Sequence, residues 1–557
     1  MSAGATAIAH ARPWSRVMGL GTIFGKTLRD SRRAALVVGV VGGLFMLLTA
    51  APYGTEFTTP ALRALFASQM TSLPPVFQGL LGEPIHIETL GGFLSWRVGN
   101  FLPVLLGLWS VIALSGTLAG EAASGSLDLV VATPHSRRSI AVQKVGAHVT
   151  ALVVAMLILA ALVYLAGLAF AVLPGDELPL PTVLGHVFLY GLLILAAGSV
   201  AFATAPLVGR SRAMAFGAVA LIGGYLIDSF GSIAPALKSL SPISWYSWTA
   251  HHRPMAGVTD WPSVALLAVV TLALLIAGVV AFERRDIGSA TALRWLHAPS
   301  LPGGVGGPFR RQLSDRTGIA LAGGAGIGLY AALIASVAPS FLDILKQSPN
   351  LLELIKQIYP TIDLTQPSGL LQLAFAGFAS MILGLLGAFF VAGWASDEGR
   401  RRTDLVLTTP VRRTTWMISS GLAVFVAILI AAVTMAVLVA LPIASQGADI
   451  VSPAVGILVI GLAVMGLCGI GLAAGGLVRS SLAAPVAALA VLATFVLDIL
   501  GPALKLPDVV LQLSIYEHLG KPLAGSYDPV GIVIAAGLAF GGLLVGAWGL
   551  RRRDIGR

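Results

Sequence analysis

The stretch DLVVATPHSR, residues 128–137, recurs as DLVLTTPVRR, residues 404–413. Each copy follows an apolar run, and each ends in arginine before the next apolar run. Other segments repeat in the same order. Phe24-x-Lys26-x-Leu28-x-Asp30 matches Phe309-x-Arg311-x-Leu313-x-Asp315. Arg210-Ser211 matches Arg479-Ser480, and Asp228 with Pro235-Ala236-Leu237-Lys238 matches Asp498 with Pro502-Ala503-Leu504-Lys505. Arg284-Arg285-Asp286-Ile287-Gly288 matches Arg552-Arg553-Asp554-Ile555-Gly556. An ordered internal repeat of this length decides the architecture before any single motif does. The chain reads as two fused halves of the same orientation, 1–288 and 309–557, joined by a Gly/Pro-rich linker at 289–308 that contains HAPSLPGGVGGP.

Composition sets the medium. Of 557 residues, 56% are hydrophobic and only 11% charged, against about 25% charged in soluble domains. With a mean hydropathy of +0.89, this is an all-α polytopic membrane protein. The single cysteine, Cys468, lies in an apolar segment. It excludes a disulfide framework within the chain and reads as packing. A net charge of +10 would point to nucleic acid in a soluble protein. Here it reflects basic residues held on one side of a membrane, and no nucleic-acid partner is expected.

A span needs about twenty mostly apolar residues. Twelve runs qualify, near 34–52, 99–120, 147–173, 183–207, 212–233, 262–282, 318–339, 369–395, 418–443, 453–477, 481–501 and 529–550. Six fall in each half. The first run follows a basic segment and has the length of a span, so no cleavable signal is expected. With both termini inside, 27 of the 35 lysines and arginines lie on inner segments. The outer segments carry only Arg63, Arg97, Lys238, Arg253, Lys346, Lys356, Lys505 and Lys521. The bias predicts a multi-pass protein of a bacterial inner membrane with cytoplasmic termini.

GLGTIFGKT, Gly19 to Thr27, imitates a phosphate-binding loop, which reads G-x-x-x-x-G-K-[ST]. The first glycine is out of register, since Leu20 stands where it is needed. The segment also follows no strand, as such a loop requires. At 100° per residue, Val17, Leu20, Phe24 and Leu28 share one face and Lys26, Arg29 and Arg33 the opposite one. The reading is an amphipathic helix at the inner surface, its basic side toward lipid phosphates. A second copy at Phe309–Asp315 lacks the Gly-Lys-Thr, with Pro308 suited to a first helical turn.

The loops after the second and eighth spans carry most of the information. They read GEAASGSLDLVVATPHSRRSIAVQK and SDEGRRRTDLVLTTPVRRTTWM. Each opens with acid at the membrane exit, Glu121 in one and Asp397 with Glu398 in the other, and passes through a Thr-Pro turn to arginine. Proline ends a helix and fixes the turn. A surface loop of the positive-inside type explains the arginines. It does not explain the repeated acid or the repeated D-L-V-x-x-T-P-x-x-R.

These loops resemble the E-x-x-x-G-[ST]-L-[DE]-x-[LV]-x-x-x-P-x-[ST]-R stretch of ABC-2-type transporter permeases, and the Arg-Arg-Asp-Ile endings at 284–287 and 552–555 look like theirs. The double length is similar to antibiotic and multidrug exporter permeases of actinobacteria, of the tetronasin type. Arg401 stands where the first copy has Gly125, a departure from the pattern. The resemblance implies two tandem six-helix halves like those of type V exporters, each preceded by an amphipathic interfacial helix. It implies ATP and Mg bound by a separate ATPase subunit, in two copies, with no cofactor in this chain and no catalytic or metal-ligating residue of its own. Docking on that ATPase would fall to Lys26, Arg29, Asp30, Glu121, Asp128, Pro134 and Arg137, and in the second half to Arg311, Asp315, Asp397, Glu398, Asp404, Pro410 and Arg413. The acids would hold the amphipathic helix by its basic face.

In the same family, spans two and five of each half line the route. Here those spans bring Trp109, Phe216, Tyr225, Phe389 and Phe495, a lining suited to a small hydrophobic or amphipathic compound such as an antibiotic. For any one of these rings, lipid contact or packing is the simpler account. Asp228 and Asp498 come toward the outer face at the 1.5 Å rise of a helix, as anchors or as ion or substrate ligands where the span breaks into segments 232–254 and 502–522, which the resemblance implies are re-entrant helices of an outer gate. The rival is a twelve-span ion-coupled multidrug carrier. Such carriers need ionisable groups deep in the bundle, and only these two aspartates are candidates. His251-His252 sits in an aromatic outer stretch and does not by itself make a metal site.

Overall fold

The computed structural model describes residues 22–72, 82–99, 101–123, 135–231, 235–284, 307–347, 366–399, 406, 408–501 and 506–553. The chain divides into two compact units, Met1–Leu296 and His297–Arg557. Among the described residues eleven helices are long and apolar enough to cross a membrane. The pair Leu90–Arg97 and Leu102–Thr117, bent by 53°, gives a twelfth when counted as one span.

Unit 1 runs α1 (Ile23–Glu56), α2 (Pro60–Thr71), α3 (Leu90–Arg97), α4 (Leu102–Thr117), α5 (Ala119–Ala123), α6 (Arg137–Phe170), α7 (Leu180–Val208), α8 (Arg210–Gly231), α9 (Pro235–Lys238), α10 (Trp245–Thr249) and α11 (Trp261–Arg284). Unit 2 runs α12 (Pro308–Gln347), α13 (Pro367–Gly399), α14 (Arg413–Ser445), α15 (Val451–Leu477), α16 (Ala483–Leu500), α17 (Asp508–Leu511) and α18 (Pro529–Arg552). The described strands, β1 (Gly520–Lys521) and β2 (Ser526–Tyr527), form one small hairpin between α17 and α18. Helix starts follow capping chemistry. Thr22, Thr59, Thr89, Ser136 and Asp528 each accept a backbone N–H from the first turn that follows.

Two expectations change in detail. The basic segment is not a separate interfacial helix over the described residues. It forms the first turns of α1, as residues 308–316 form those of α12. No proline interrupts the chain between Gly25 and Pro52, so the helix has no reason to stop at the start of the apolar run. Second, the span expected at 99–120 begins earlier and is broken between α3 and α4. A Cβ on Gly99 would fall 2.0 Å from the Ser95 carbonyl oxygen, and Pro103 occupies the first turn of α4, where its missing N–H is not needed.

The repeat is also a packing repeat. In unit 1, α1 lies against α6. A Cβ on Gly39 would come 2.6 Å from Ala155 O, and one on Gly43 2.5 Å from Leu162. In unit 2, Gly324 meets Ala431 O at 2.4 Å and Gly328 meets Leu438 at 3.1 Å. The registers that pair Phe24 with Phe309 and Asp128 with Asp404 place Gly39 on Gly324, Gly43 on Gly328, Ala155 on Ala431 and Leu162 on Leu438. Small residues spaced by four let the two backbones touch, as in lipid-embedded helix pairs. Gly324→Val should therefore cost about 1–3 kcal/mol by overpacking. It should lower the melting temperature and the monodisperse yield in detergent, whereas Gly326→Ala, with nothing within 4 Å of the added carbon, should leave both unchanged.

Candidate functional site

The described docking candidates gather at the end of each unit where α1 and α12 begin. Gly25, Lys26 and Thr27 lie in the first turn of α1, with the Gly25 N–H donating to Thr22 Oγ1 at 3.0 Å and Thr27 Oγ1 donating to Ile23 O at 2.9 Å. That is an N-cap and not a phosphate cradle. The apolar side of this turn rests on protein. The Phe24 N–H donates to Gln143 Oε1 at 3.3 Å, its ring packs over Gly146, and Ile23 joins the buried group of Leu118, Ile140 and Phe282. Lys26, Arg29, Asp30 and Arg33 are exposed, as are Arg311 and Asp315 in unit 2. Arg29 and Asp30 approach to 4.0 Å.

The acids at the membrane exit are not exposed with them. Glu121, on α5, is paired at 2.6 Å with Lys144 of α6, and Lys144 is buried. Its described partner is therefore on helix α6. In unit 2 the arrangement differs. Asp397, near the end of α13, accepts from Gln312 Nε2 of α12, and Gln312 in turn accepts from buried Arg316. Arg316 also donates to Gln312 O at 2.7 Å and to Phe390 O at 3.4 Å. The sequence explains the exchange. In register, Lys144 falls on Ser420, while Thr27 and Ser31 fall on Gln312 and Arg316. Both halves keep the acid, but α6 supplies its partner in one and α12 in the other.

Glu398 does a different job. Its carboxylate holds Arg553 Nη2 at 2.6 Å, and Arg413 Nη1 donates to the Arg553 carbonyl at 2.9 Å. Three pieces that the sequence set apart, the acidic exit, the loop arginine and the Arg-Arg-Asp ending, meet on one residue after α18. In unit 1, Arg137 opens α6 behind the Ser136 cap. Arg210 lies over Gly116 and Gly120. Pro410 is exposed in a turn closed by the Thr409 N–H to Val406 O at 3.1 Å. Asp128, Pro134 and Asp404 lie outside the described residues.

The pathway candidates differ in exposure within their own units. Phe495 is 1% exposed and sits 6.0 Å from Phe378, which makes it core. Tyr225 is buried against Tyr246 at 6.1 Å. Phe389 is half-buried beside Phe390, while Phe216 is 43% exposed. Trp109, half-buried, lies 5.0 Å from the ring of His148.

At the opposite ends, Asp228 and Asp498 are half-buried, each within electrostatic reach of a cation: Arg253 for Asp228 and Lys521 for Asp498. These cations belong to the same turn. Arg253-Pro-Met-Ala-Gly257 and Lys521-Pro-Leu-Ala-Gly525 both make one turn of 3-10 helix, closed by glycine at φ 78° and 79°. Both cations sit in a bridged extended pair, Arg253 with Val258 and Lys521 with Ser526. Glycine is needed where φ is positive. The pattern [Arg/Lys]-Pro-x-Ala-Gly was readable in the sequence, where the two cations had counted only as loop charge. Arg253 donates to Glu83 O at 2.6 Å and Ala250 O at 3.1 Å. Burial lowers its pKa, opposed by the charges of Asp228 and Glu83. His252 Nδ1 accepts the Asp260 N–H at 3.0 Å and its ring packs on Trp261, while His251 is exposed. Burial holds His252 below the usual histidine range.

A cap over the far end of unit 1 was not foreseen. Arg63 of α2 is 2% exposed and forms an ion pair with Asp176, 1% exposed, from the turn between α6 and α7. Asp176 also accepts the N–H groups of Leu90 at 2.9 Å, Leu173 at 3.0 Å and Val172 at 3.2 Å. Arg63 lies 4.7 Å above the Tyr53 ring, which stacks on Phe93 at 4.1 Å.

Comparison with known proteins agrees with the two-unit arrangement. Residues 21–287 match the family described as ABC-2 family transporter protein. Residues 308–551 match the C-terminal domain of the multidrug efflux system permease Rv1217c. The chain is 24% identical over 537 residues to the multidrug efflux system permease protein Rv1217c of Mycobacterium tuberculosis strain H37Rv, an alignment covering 92% of each chain.

Proposed function

The chain belongs to the ABC-2-type transporter permeases in a double-length form, and on that premise we propose that it is the membrane subunit of an ATP-driven efflux pump. Separate ATPase subunits, two copies, bind and hydrolyse ATP with Mg. They dock on the ends where α1 and α12 begin, which face the cytoplasm of a bacterial cell with both termini. The compound exported is hydrophobic or amphipathic, in line with the multidrug efflux of the similar Rv1217c.

The observation that carries this reading is the anchoring of both loop bases. Glu121 is fixed to Lys144, Asp397 to α12 through Gln312 and Arg316, and Glu398 with Arg413 to the end of α18. A loop that is to transmit a push from an ATPase must be stiff where it enters the bundle. Ion pairs and hydrogen bonds between helices supply that stiffness. Beside these anchors lie exposed charges, Lys26, Arg29, Asp30, Arg311 and Asp315, free to meet a partner surface or lipid phosphates.

The test is transport into inverted vesicles that contain the chain and its ATPase. A lipophilic dye should accumulate with ATP, stop when the phosphate-loop lysine of the ATPase is replaced, and continue after an ionophore collapses the proton gradient. Accumulation that follows the gradient and ignores ATP would assign the chain to ion-coupled carriers.

A further inference from the structure

Unit 1 carries a polar pair inside the membrane that unit 2 lacks. His148 of α6 is 3% exposed, and its Nε2 lies 2.9 Å from Oγ of fully buried Ser110 on α4. His148 is 11 residues past Arg137, about 16 Å along the helix at 1.5 Å per residue. It lies one turn past Lys144, the partner of Glu121 at the membrane exit, where the apolar run opens. Its Nδ1 is buried and has no hydrogen-bond partner among the described residues. The half-buried ring of Trp109 tilts over it at 54°.

The repeat supplies an internal control for what packing requires. In the register of Asp128 and Asp404, His148 falls on Val424, Ser110 on Leu386 and Trp109 on Leu385. Val424 is fully buried in α14, which packs on α12 as α6 packs on α1. An apolar residue therefore satisfies this place in the fold. A buried imidazole with one nitrogen unmatched is costly by comparison. Embedded polar groups held at such a cost mark ligand paths more often than packing. The same replacement recurs nearer the far end. His186 and Tyr190 of α7, 2.9 Å apart, fall on Val455 and Val459 in the register of Arg210 and Arg479.

We propose that His148, Ser110 and Trp109 form a recognition site for the hydrogen-bonding group of the exported compound, a neutral molecule with a flat apolar body. Trp109 takes the flat body, and His148 Nδ1 takes a single donor or acceptor group. The charge pattern excludes a permanent cation as the preferred ligand. The described hydrogen-bond partner of His148 is Ser110, and the nearest charge along α6, Lys144 one turn earlier, is paired with Glu121. Of the acids in unit 1, Glu121 is paired with Lys144, and Asp228 lies within electrostatic reach of Arg253. Farther along, the charge of Arg253 reaches His186. A lipophilic cation would meet no counter-charge on this route. The proposal rests on the efflux reading for the word exported, but its test needs neither ATP nor transport.

The test uses the full chain in lipid nanodiscs with N-phenyl-1-naphthylamine, a neutral flat probe with one N–H, followed by its fluorescence. Tetraphenylphosphonium serves as the cationic competitor. The double variant Ser110→Leu/His148→Val gives unit 1 the residues of unit 2 and should fold. It should bind the probe about tenfold more weakly, the size of one lost buried hydrogen bond. His148→Asn, which keeps a hydrogen-bonding group, should stay within about threefold of the unmodified chain. The phosphonium should displace the probe only at concentrations at least about tenfold above the probe's own Kd. Unchanged affinity in the double variant would overturn the site. If that variant does not fold, unchanged affinity in His148→Phe would do so. Displacement by the phosphonium at concentrations matching the probe's affinity would overturn the ligand class. Failure of ATP-driven transport in vesicles would leave these binding results standing and would bear on the pump reading alone.

Discussion

Asp176→Ala is expected to destabilise unit 1 by about 3–5 kcal/mol, the cost of stranding one member of a fully buried ion pair. The substitution leaves Arg63 charged at 2% exposure and removes the acceptor of three N–H groups, those of Leu90, Val172 and Leu173. Thermal unfolding in detergent should show the loss, and hydrogen exchange should rise in α2 and α3, which Arg63 and Leu90 tie to the turn after α6. Arg63→Met/Asp176→Leu should recover the part due to the stranded charge, since an apolar pair of similar volume often replaces a buried ion pair at little cost, while the three N–H groups still lack their acceptor. Equal loss in the single and double variants would show that the pair is incidental. The carboxylate also fixes a pH dependence. Burial alone would raise Asp176, but the Arg63 hydrogen bond, the N–H groups of Leu173 and Leu90 and the Arg63 charge outweigh it and hold the group below the usual carboxylate range. A group lowered on folding stabilises above its unfolded value, near 4, and the stabilisation is lost as pH falls through the folded value. The melting temperature should thus carry no contribution to its slope from Asp176 between pH 7 and about 4. Below that it should drop, and Asp176→Asn should remove the Asp176 part of the drop.

The second large effect concerns Glu121. Glu121→Ala strands buried Lys144 and should cost roughly 1.5–3 kcal/mol, the range for a hydrogen bond to a charged group. Glu121→Ala/Lys144→Ser copies the residue that unit 2 has at Ser420 and should restore most of the stability. Transport should separate the two roles of the acid. If Glu121 also stiffens the docking loop, the double variant melts like the unmodified chain yet transports at less than about a tenth of its ATP-driven rate, more than 1.4 kcal/mol of lost coupling. Recovery of both stability and transport would confine Glu121 to a structural role.

How far the sequence reached can be traced to the range of each interaction. Every apolar run became part of a helix, because length and hydropathy along one segment suffice in lipid. The ordered repeat was legible as well, and the Gly39/Gly43 and Gly324/Gly328 contacts show it at atomic scale. Helix starts were misplaced, since α1 and α12 continue through polar turns that hydropathy does not count. The partner of Glu121 could not be read from its own loop. Lys144 lies on the next helix, one residue in a register where unit 2 has serine. Arg63 looked like loop charge because its burial depends on Asp176, more than a hundred positions away. The direction of each aromatic ring was not legible for a related reason: which way Phe495 or Tyr225 faces depends on neighbours such as Phe378 and Tyr246.

The central claim is that this chain moves its substrate on energy from a separate ATPase docked beside Glu121, Asp397 and Glu398. The most direct measurement is mild extraction of the tagged chain from its host membrane, with mass spectrometry of what stays bound. The account predicts an ATPase carrying a true phosphate-binding loop, at two copies per chain, whose binding or activity changes on Glu121 or Arg137 substitution. Recovery of the chain alone, in a form that transports along an ion gradient without ATP, would contradict it.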